Sequence, residues 1–263
     1  MACTTSINPL PLKDRVAIVT GSSRGMGRVI ATQLAELGAK VVINYSSSPD
    51  QADLVATQIN SRYPGDCLRA VTVKADVSDP AQVKFLFDSA EQAFGSPIYV
   101  LVNSAGVLDP KYPKIADTSL EEFDRIFRVN TRGAFLCAKE AANRLKRGGG
   151  GRIILLSSST AAALRPGFGA YAASKAAVEA MIKILAKELK GTGITANCVA
   201  PGPIATELFL EGKSEEMVQK VIDECPHNRL GQSEDVSPVV TFLATDASEW
   251  VNGQIIRVNG GYI

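Results

Sequence analysis

Tyr171-Ala172-Ala173-Ser174-Lys175 sets a phenol and an ammonium four residues apart. On a helix the two side chains share one face, a single turn from each other. The residues that follow (Ala176, Ala177, Val178, Met181, Ile182, Ile184, Leu185) carry the apolar stripe of a long helix. A free phenol titrates at about pH 10, too high for a general acid or base at neutrality. A fixed ammonium beside it favours the phenolate and lowers that value. The pair is minimal equipment for moving a proton on and off a carbonyl or hydroxyl oxygen. Tyr and Lys at this spacing also describe an ordinary helix surface, so the chemistry depends on what the rest of the chain brings to them.

A second constellation lies near the N-terminus. Residues 15–20 (RVAIVT) are a short, β-branched apolar run, the pattern of a strand buried on both faces. Gly21-Ser22-Ser23-Arg24-Gly25-Met26-Gly27 follows directly, and residues 29–37 have helical periodicity that stops at Gly38. Strand, glycine-rich turn and helix form the layout of a dinucleotide site, in which helix-start N–H groups face a pyrophosphate. The spacing is G-x-x-x-G-x-G, not the general G-x-G-x-x-G. Residues 40–45 (KVVINY) make the second strand, whose end carries an Asp or Glu in sites that hold the ribose 2′-hydroxyl of NAD. Here stand Asn44, Tyr45, Ser46, Ser47 and Ser48, with no carboxylate before Asp50, which starts the next helix. Nothing then repels a 2′-phosphate, Ser46 and Ser47 supply donors, and Arg24 supplies a cation. The expected cofactor is NADPH/NADP+; the alternative is a solvent-facing Arg24 beside a plain serine loop.

The alternation continues along the chain. Asp76-Val77 follow a strand over residues 68–74, where the carboxylate either bonds an adenine amino group or serves a turn. Residues 98–102 form a strand ending in Asn103-Ser104-Ala105-Gly106. Residues 119–145 are one long helical pattern with Asn130 in the middle, a poor interior helix residue that marks a kink or a site. Strands over residues 152–156 and 194–199 run into Ser157-Ser158-Ser159 and Pro201-Gly202, and residues 255–258 close the chain. Helices are expected over residues 51–61, 80–94 and 233–245. This order predicts an α/β protein: a single Rossmann-type doubly wound domain over residues 15–263, with a mostly parallel sheet of about seven strands and helices on both faces. Residues 1–14 are read as a flexible lead-in. Gly21, Ser46, Asp76, Asn103, Ser158 and Pro201 all fall just past a strand, where such sheets bind ligands.

Composition narrows the partners. With 263 residues, 46% hydrophobic, the chain is long enough to bury a sizeable core. A net charge of +1 gives no electrostatic case for nucleic acid or an anionic membrane. No apolar run reaches the roughly 18 residues of a membrane span. Five scattered cysteines read as free thiols of a reducing compartment. The single histidine, His227, sits in a polar stretch, so no metal is expected. Residues 1–11 have no basic residue and no apolar core, which argues against a signal or transit peptide and for a cytoplasmic location.

Taken in order, Thr20-Gly21-x-x-x-Gly25-x-Gly27, Asn103-Ser104-Ala105-Gly106, Asn130, Ser158, Tyr171-x-x-x-Lys175 and Pro201-Gly202 resemble the motif set of the short-chain dehydrogenase/reductase family over nearly the whole chain. Met26 and Ser104 stand where Ile and Asn are usual there. Val42-Ile43-Asn44-Tyr45 also looks like plant NADPH-dependent aldehyde reductase-like members and fungal naphthol reductases. The resemblance implies that Tyr171 gives and takes the proton. Lys175 lowers its pKa and holds the nicotinamide ribose, Ser158 polarises the substrate oxygen, and Asn130 holds a relay water. Ser158 is favoured over its two neighbours by the family's separation from the Tyr. Further cofactor contacts would come from Ser23, Ala105, Gly106, Ile204 and Thr206.

A small-molecule carbonyl substrate would lie between a loop over residues 160–169 and a lid over residues 204–228, with Leu164, Phe168 and Phe209 against it. The alternative is that these apolar residues merely pack the lid on the body. The long helices over residues 119–145 and 171–190 resemble the family's pairing surfaces, so a homo-oligomer, a dimer of dimers, is expected. The expected function is an NADPH-dependent carbonyl reductase. A 3-oxoacyl-thioester reductase, with Arg125, Arg128 and Arg132 greeting a carrier, is an alternative, as are an NAD(P)-linked alcohol dehydrogenase and, more remotely, a non-catalytic dinucleotide-binding regulator.

Overall fold

An apolar run without alternation cannot leave one face in water, and in this chain each such run becomes a strand covered on both sides. Strands β1 (Val16–Thr20), β2 (Lys40–Tyr45), β3 (Ala70–Lys74), β4 (Ile98–Asn103), β5 (Gly151–Leu156), β6 (Ile194–Pro201) and β7 (Ile255–Val258) form one seven-stranded sheet. Every neighbouring pair is parallel, and the order is β3-β2-β1-β4-β5-β6-β7. β1, β5 and β6 are buried at every position. The structure, a computed structural model, describes residues 10–63 and 68–263. Cys3 and Cys67 lie outside the described residues; Cys137, Cys198 and Cys225 are buried free thiols.

Helices cover both faces. On one side α1 (Gly25–Glu36), α2 (Pro49–Ser61) and α10 (Ser233–Ala244) bury Ile30, Leu34, Val55, Ile59, Val236 and Val240 against the sheet. On the other, α3 (Pro80–Phe94), α5 (Ala134–Arg144) and α7 (Gly169–Glu188) bury Leu86, Phe87, Cys137, Ala141, Val178 and Ile182. Shorter helices among the described residues include α4 (Leu120–Phe127), α6 (Thr160–Ala163), α8 (Glu207–Leu210) and α9 (Glu215–Glu224). Strand order reverses between β1 and β4, and a crevice opens there beyond the carboxyl ends of the strands.

Three expectations need correction. The end of the lead-in is part of the fold: Leu12 is fully buried in the α1-side core, and its N–H donates to the Leu37 carbonyl at 2.9 Å. The long helical pattern around Asn130 is broken into α4, a π-helical stretch at Arg128–Gly133, and α5. A π stretch inserts one residue into the helical register, and this one falls where Asn was out of place. Residues 160–169, read as a loop, contain α6.

Asn44 is a structural knot at the end of β2. Its Oδ1 accepts from the Gly21 N–H at 3.2 Å, and its Nδ2 donates to the carbonyls of Val73 at 3.2 Å and Ala75 at 3.0 Å. The glycine turn, β2 and β3 are thereby fastened together by one side chain that is 1% exposed. Asn44→Ala leaves those buried groups unpaired, and a loss of about 2–4 kcal/mol is expected in urea unfolding. A loss below about 0.5 kcal/mol, within the range of an ordinary surface substitution, would show the knot to be redundant.

Candidate active site

The crevice at the strand reversal is held by Thr20. Its hydroxyl donates to Asn103 Oδ1 at 3.0 Å and accepts from the N–H groups of Ser104 and Ala105, each at 3.1 Å. The ends of β1 and β4 are so fixed side by side. Over them lies a cavity of about 630 Å³ lined by Gly21, Ser23, Arg24, Gly25, Met26, Gly27, Asn44, Tyr45, Ser46, Ser47, Asp76, Val77, Ala105, Gly106 and Thr206, among others. The start of α1 faces it with no side-chain cap and no acidic residue in its first turn, leaving helix-start N–H groups for an anion. A Cβ on Gly27 would stand 2.4 Å from the Gly21 carbonyl, so the turn can fold this tightly only with glycine there. These features fit a dinucleotide phosphate. Arg24 reaches across the mouth to Glu207 on α8 at 3.2 Å. Both partners are exposed, and a pair of this kind is weak enough to yield to a phosphate. Asp76 has both expected aspects: one carboxylate oxygen takes the Ser78 N–H at 2.8 Å, and the residue lines the cavity. Asn44 lines this cavity while its amide bonds inside the fold, and the side-chain carbonyl oxygen of Asn103 likewise bonds Thr20.

Tyr171 sits in the first turn of α7 and Lys175 one turn on. Lys175 is 4% exposed; its Nζ donates to the Leu156 carbonyl at 2.9 Å and lies 5.9 Å from the centroid of the Tyr171 ring. Burial pulls its pKa down to about 8. Burial also raises the Tyr171 phenol, with the contact from Ser158 working the other way. Burial is the larger influence on the phenol, and the Lys175 ammonium is turned to a backbone carbonyl. Of the three serines, Ser157 bonds Glu179 and Ser159 bonds the Ala200 carbonyl, both buried. Ser158 bonds its near neighbour Thr160 and lies against the Tyr171 phenol, so its hydroxyl is the one placed to turn to a substrate.

Asn130, to which the resemblance gave a relay water, bonds inside the fold through its side chain. Its Oδ1 accepts from the Val107 N–H at 2.8 Å; its Nδ2 donates to the Val107 carbonyl at 2.8 Å and to Ser174 Oγ at 3.1 Å. Ser174 Oγ in turn donates to the Tyr171 carbonyl at 2.7 Å. Ser174 was missed in the sequence, although it lies inside the Tyr-to-Lys segment.

A second cavity of about 680 Å³ opens over Ser158 and Tyr171. Phe168 and Phe209 line it as expected, with Pro201, Gly202, Ile204 and Thr206 on the cofactor side. Leu164 does not: it ends α6 with φ +49°, is 73% exposed, and lines a separate outer groove with Ile115, Ala172 and Ala176. Its left-handed turn aims it away from Tyr171. Tyr112 and Lys213 line the cavity instead. Neither carried a local signal, because one comes from the loop after β4 and the other from the lid.

Comparisons with known proteins agree with this geometry. A family profile described as enoyl-(acyl carrier protein) reductase matches residues 21–263. The chain is 66% identical to the "NADPH-dependent aldehyde reductase-like protein, chloroplastic" of Arabidopsis thaliana, covering 97% of this chain and 96% of the relative. It is 60% identical to the "NADPH-dependent aldehyde reductase 2, chloroplastic" of the same plant, covering 99% of each. A short-chain dehydrogenase of Burkholderia cenocepacia solved with NADP is 32% identical, with a TM-score of 0.87 over 97% of this chain and 99% of that one. The expected cytoplasmic location is overturned by the two plant relatives, both of which are named chloroplastic. Sheet order, the glycine turn, the Ser158–Tyr171–Lys175 grouping and these identities over the full length make the chain a member of the short-chain dehydrogenase/reductase family.

Proposed function

We propose that this chain is an NADPH-dependent carbonyl reductase acting on aldehydes or ketones. The observation that carries the reading is a pair of adjoining cavities, one polar and glycine-lined, the other apolar and holding Ser158 and Tyr171, which share Met26, Thr206 and Leu208 in their walls. The names of the two Arabidopsis relatives support the aldehyde class. Gly21, Gly25 and Gly27 would hold the pyrophosphate of the cofactor, and Arg24, Ser46 and Ser47 its 2′-phosphate. Bound NADPH supplies a hydride to the carbonyl carbon. Charge then builds on the carbonyl oxygen, and this chain's own groups meet it there. Tyr171 transfers its phenolic proton to that oxygen, while the Ser158 hydroxyl turns from Thr160 and donates a hydrogen bond to it. The Lys175 ammonium stabilises the phenolate left on Tyr171. Asn130 and Ser174 hold α7 in place and touch neither reactant.

The lid over residues 204–228 closes on the cavity in this reading; among its helices, α8 and α9 bury no residue, as a movable element requires. Of the three arginines behind the thioester alternative, Arg125 is taken up by Glu122 and the Leu108 carbonyl, while Arg128 and Arg132 are exposed. The outer faces of α4, α5 and α7 expose Leu120 (81%), Phe135 (52%) and Ile184 (57%), and we read these faces as contact surfaces between copies of the chain. Light scattering at micromolar concentration is expected to give a mass several times that of one chain. A single-chain mass would remove the dimer-of-dimers reading.

The test of the reaction follows NADPH consumption against aldehydes, ketones, diketones, quinones and a 3-oxoacyl thioester, with NADH in parallel. Tyr171→Phe is expected to lower kcat at least roughly a hundredfold, the scale of a lost general acid. Arg24→Ala is expected to narrow the preference for NADPH over NADH. Turnover that survives Tyr171→Phe, or none on any carbonyl, would sink the reading. A pH dependence follows from Lys175. Its folded pKa is depressed to about 8, so the ammonium is present below that pH and lost above it. The value of kcat/KM is therefore expected to fall as pH rises through about 8. A profile flat to pH 9.5 would detach Lys175 from catalysis.

A further inference from the structure

Lys213 occupies an unusual place for a lysine. It lies on the lid between α8 and α9, yet it faces the substrate cavity and not the cofactor cavity. Three aromatic rings surround its Nζ: the centroids of Tyr112 and Phe209 are each 4.2 Å away, and that of Phe168 is 5.9 Å away. The ammonium donates to Tyr112 Oη and to the Phe209 carbonyl. An ammonium has three N–H donors, so one remains. Among the described residues no carboxylate lies within 4.0 Å of it, the distance that defines every ion pair in the fold.

The backbone keeps this side chain where it is. Gly212 has φ +73°, and a Cβ there would fall 1.9 Å from the Pro110 carbonyl oxygen, so the lid turn is seated directly on the loop after β4. Tyr112 Oη closes the joint by donating to the Glu211 carbonyl at 2.9 Å. Around the cavity stand Arg165, Lys213 and Lys220 against Glu224 alone, and Arg165 and Glu224 pair with each other. The cavity thus holds an excess of positive charge amid apolar walls. Burial pulls the Lys213 pKa down to about 8, as it does for a cation short of a counter-charge.

We propose that Lys213 is a substrate-selecting residue, which holds an anionic oxygen group carried by the carbonyl substrate at the end remote from Tyr171. The preferred substrates are then aldehydes or ketones that bear a carboxylate or a comparable oxyanion. The rings of Tyr112, Phe168 and Phe209 flank the ammonium and keep water from it, which strengthens a charge-assisted bond to the incoming group. This inference rests on the carbonyl-reductase reading above. The competing assignment is a strut that only ties Tyr112 to the lid.

The experiment compares 4-formylbenzoate with its methyl ester as NADPH-dependent substrates of the full chain. Wild type, Lys213→Met and Lys213→Arg are compared by the ratio of kcat/KM for acid over ester. The wild-type ratio is expected to favour the acid by roughly tenfold or more, the scale of one charge-assisted hydrogen bond. Lys213→Met is expected to bring the ratio toward one, mainly through KM, and Lys213→Arg to retain a preference. Calorimetry of 4-methylbenzoate against its methyl ester, on the NADP+-loaded protein, reads the same contact without turnover. A wild-type ratio near one, or a ratio unchanged by Lys213→Met, overturns the proposal while ester reduction leaves the reductase reading standing. If neither aldehyde is reduced but the benzoate binds through Lys213, the anion site stands, and the reductase reading is decided by the wider carbonyl panel above.

Discussion

The buried amide of Asn130 is the joint on which the site depends. It ties the loop after β4, through both backbone groups of Val107, to α7, through Ser174. One wall of the cofactor cavity and the helix carrying Tyr171 and Lys175 are so held in one register. A buried amide whose partners are all present is rigid, and one left half-bonded is costly. The π stretch at Arg128–Gly133 is what turns this residue inward, since an uninterrupted helix from α4 to α5 would shift its direction by one position. Local irregularity is here the condition for order at the reacting groups.

Around that joint the chemistry is a matter of removing water from charge. Lys175 is almost wholly buried, and among the described residues nothing acidic pairs with it; the Leu156 carbonyl is the one acceptor of its proton there. A cation in such a place depresses its own pKa and destabilises the fold at neutral pH, a cost typical of groups retained for function. Its folded pKa lies near 8 against an ordinary 10.5, so the unfolded chain binds the extra proton between those values and this penalty is relieved as pH climbs through that window. Stability and catalysis pull in opposite directions at one nitrogen.

Much of this was legible in the sequence. Parallel strands buried on both faces read as unbroken apolar runs, so β1, β5 and β6 stood out, and the glycine turn announced the helix after β1. Asn130 was visible as a misfit. What could not be read came from contacts between distant segments. Asn44 looked like a ligand of the cofactor because it ends β2, yet its partners sit in the turn after β1 and in β3. Leu164 looked like a pocket residue until a left-handed backbone turned it outward. Tyr112 and Lys213 meet across 101 positions of sequence, and no pattern of period two or 3.6 could join them. Leu12 precedes β1 in a run too short to show periodicity, yet it is core. A cellular address is read by receptors, not by packing, and so the composition of residues 1–11 misled.

Met26, Thr206 and Leu208 line both cavities. The two volumes therefore share part of their walls, and whatever fills the first bears on the shape of the second. Carbonyl affinity is in that sense a property of the loaded protein and not of the polypeptide alone. In the carbonyl-reductase reading, the cofactor is then a component of specificity as well as the source of the hydride.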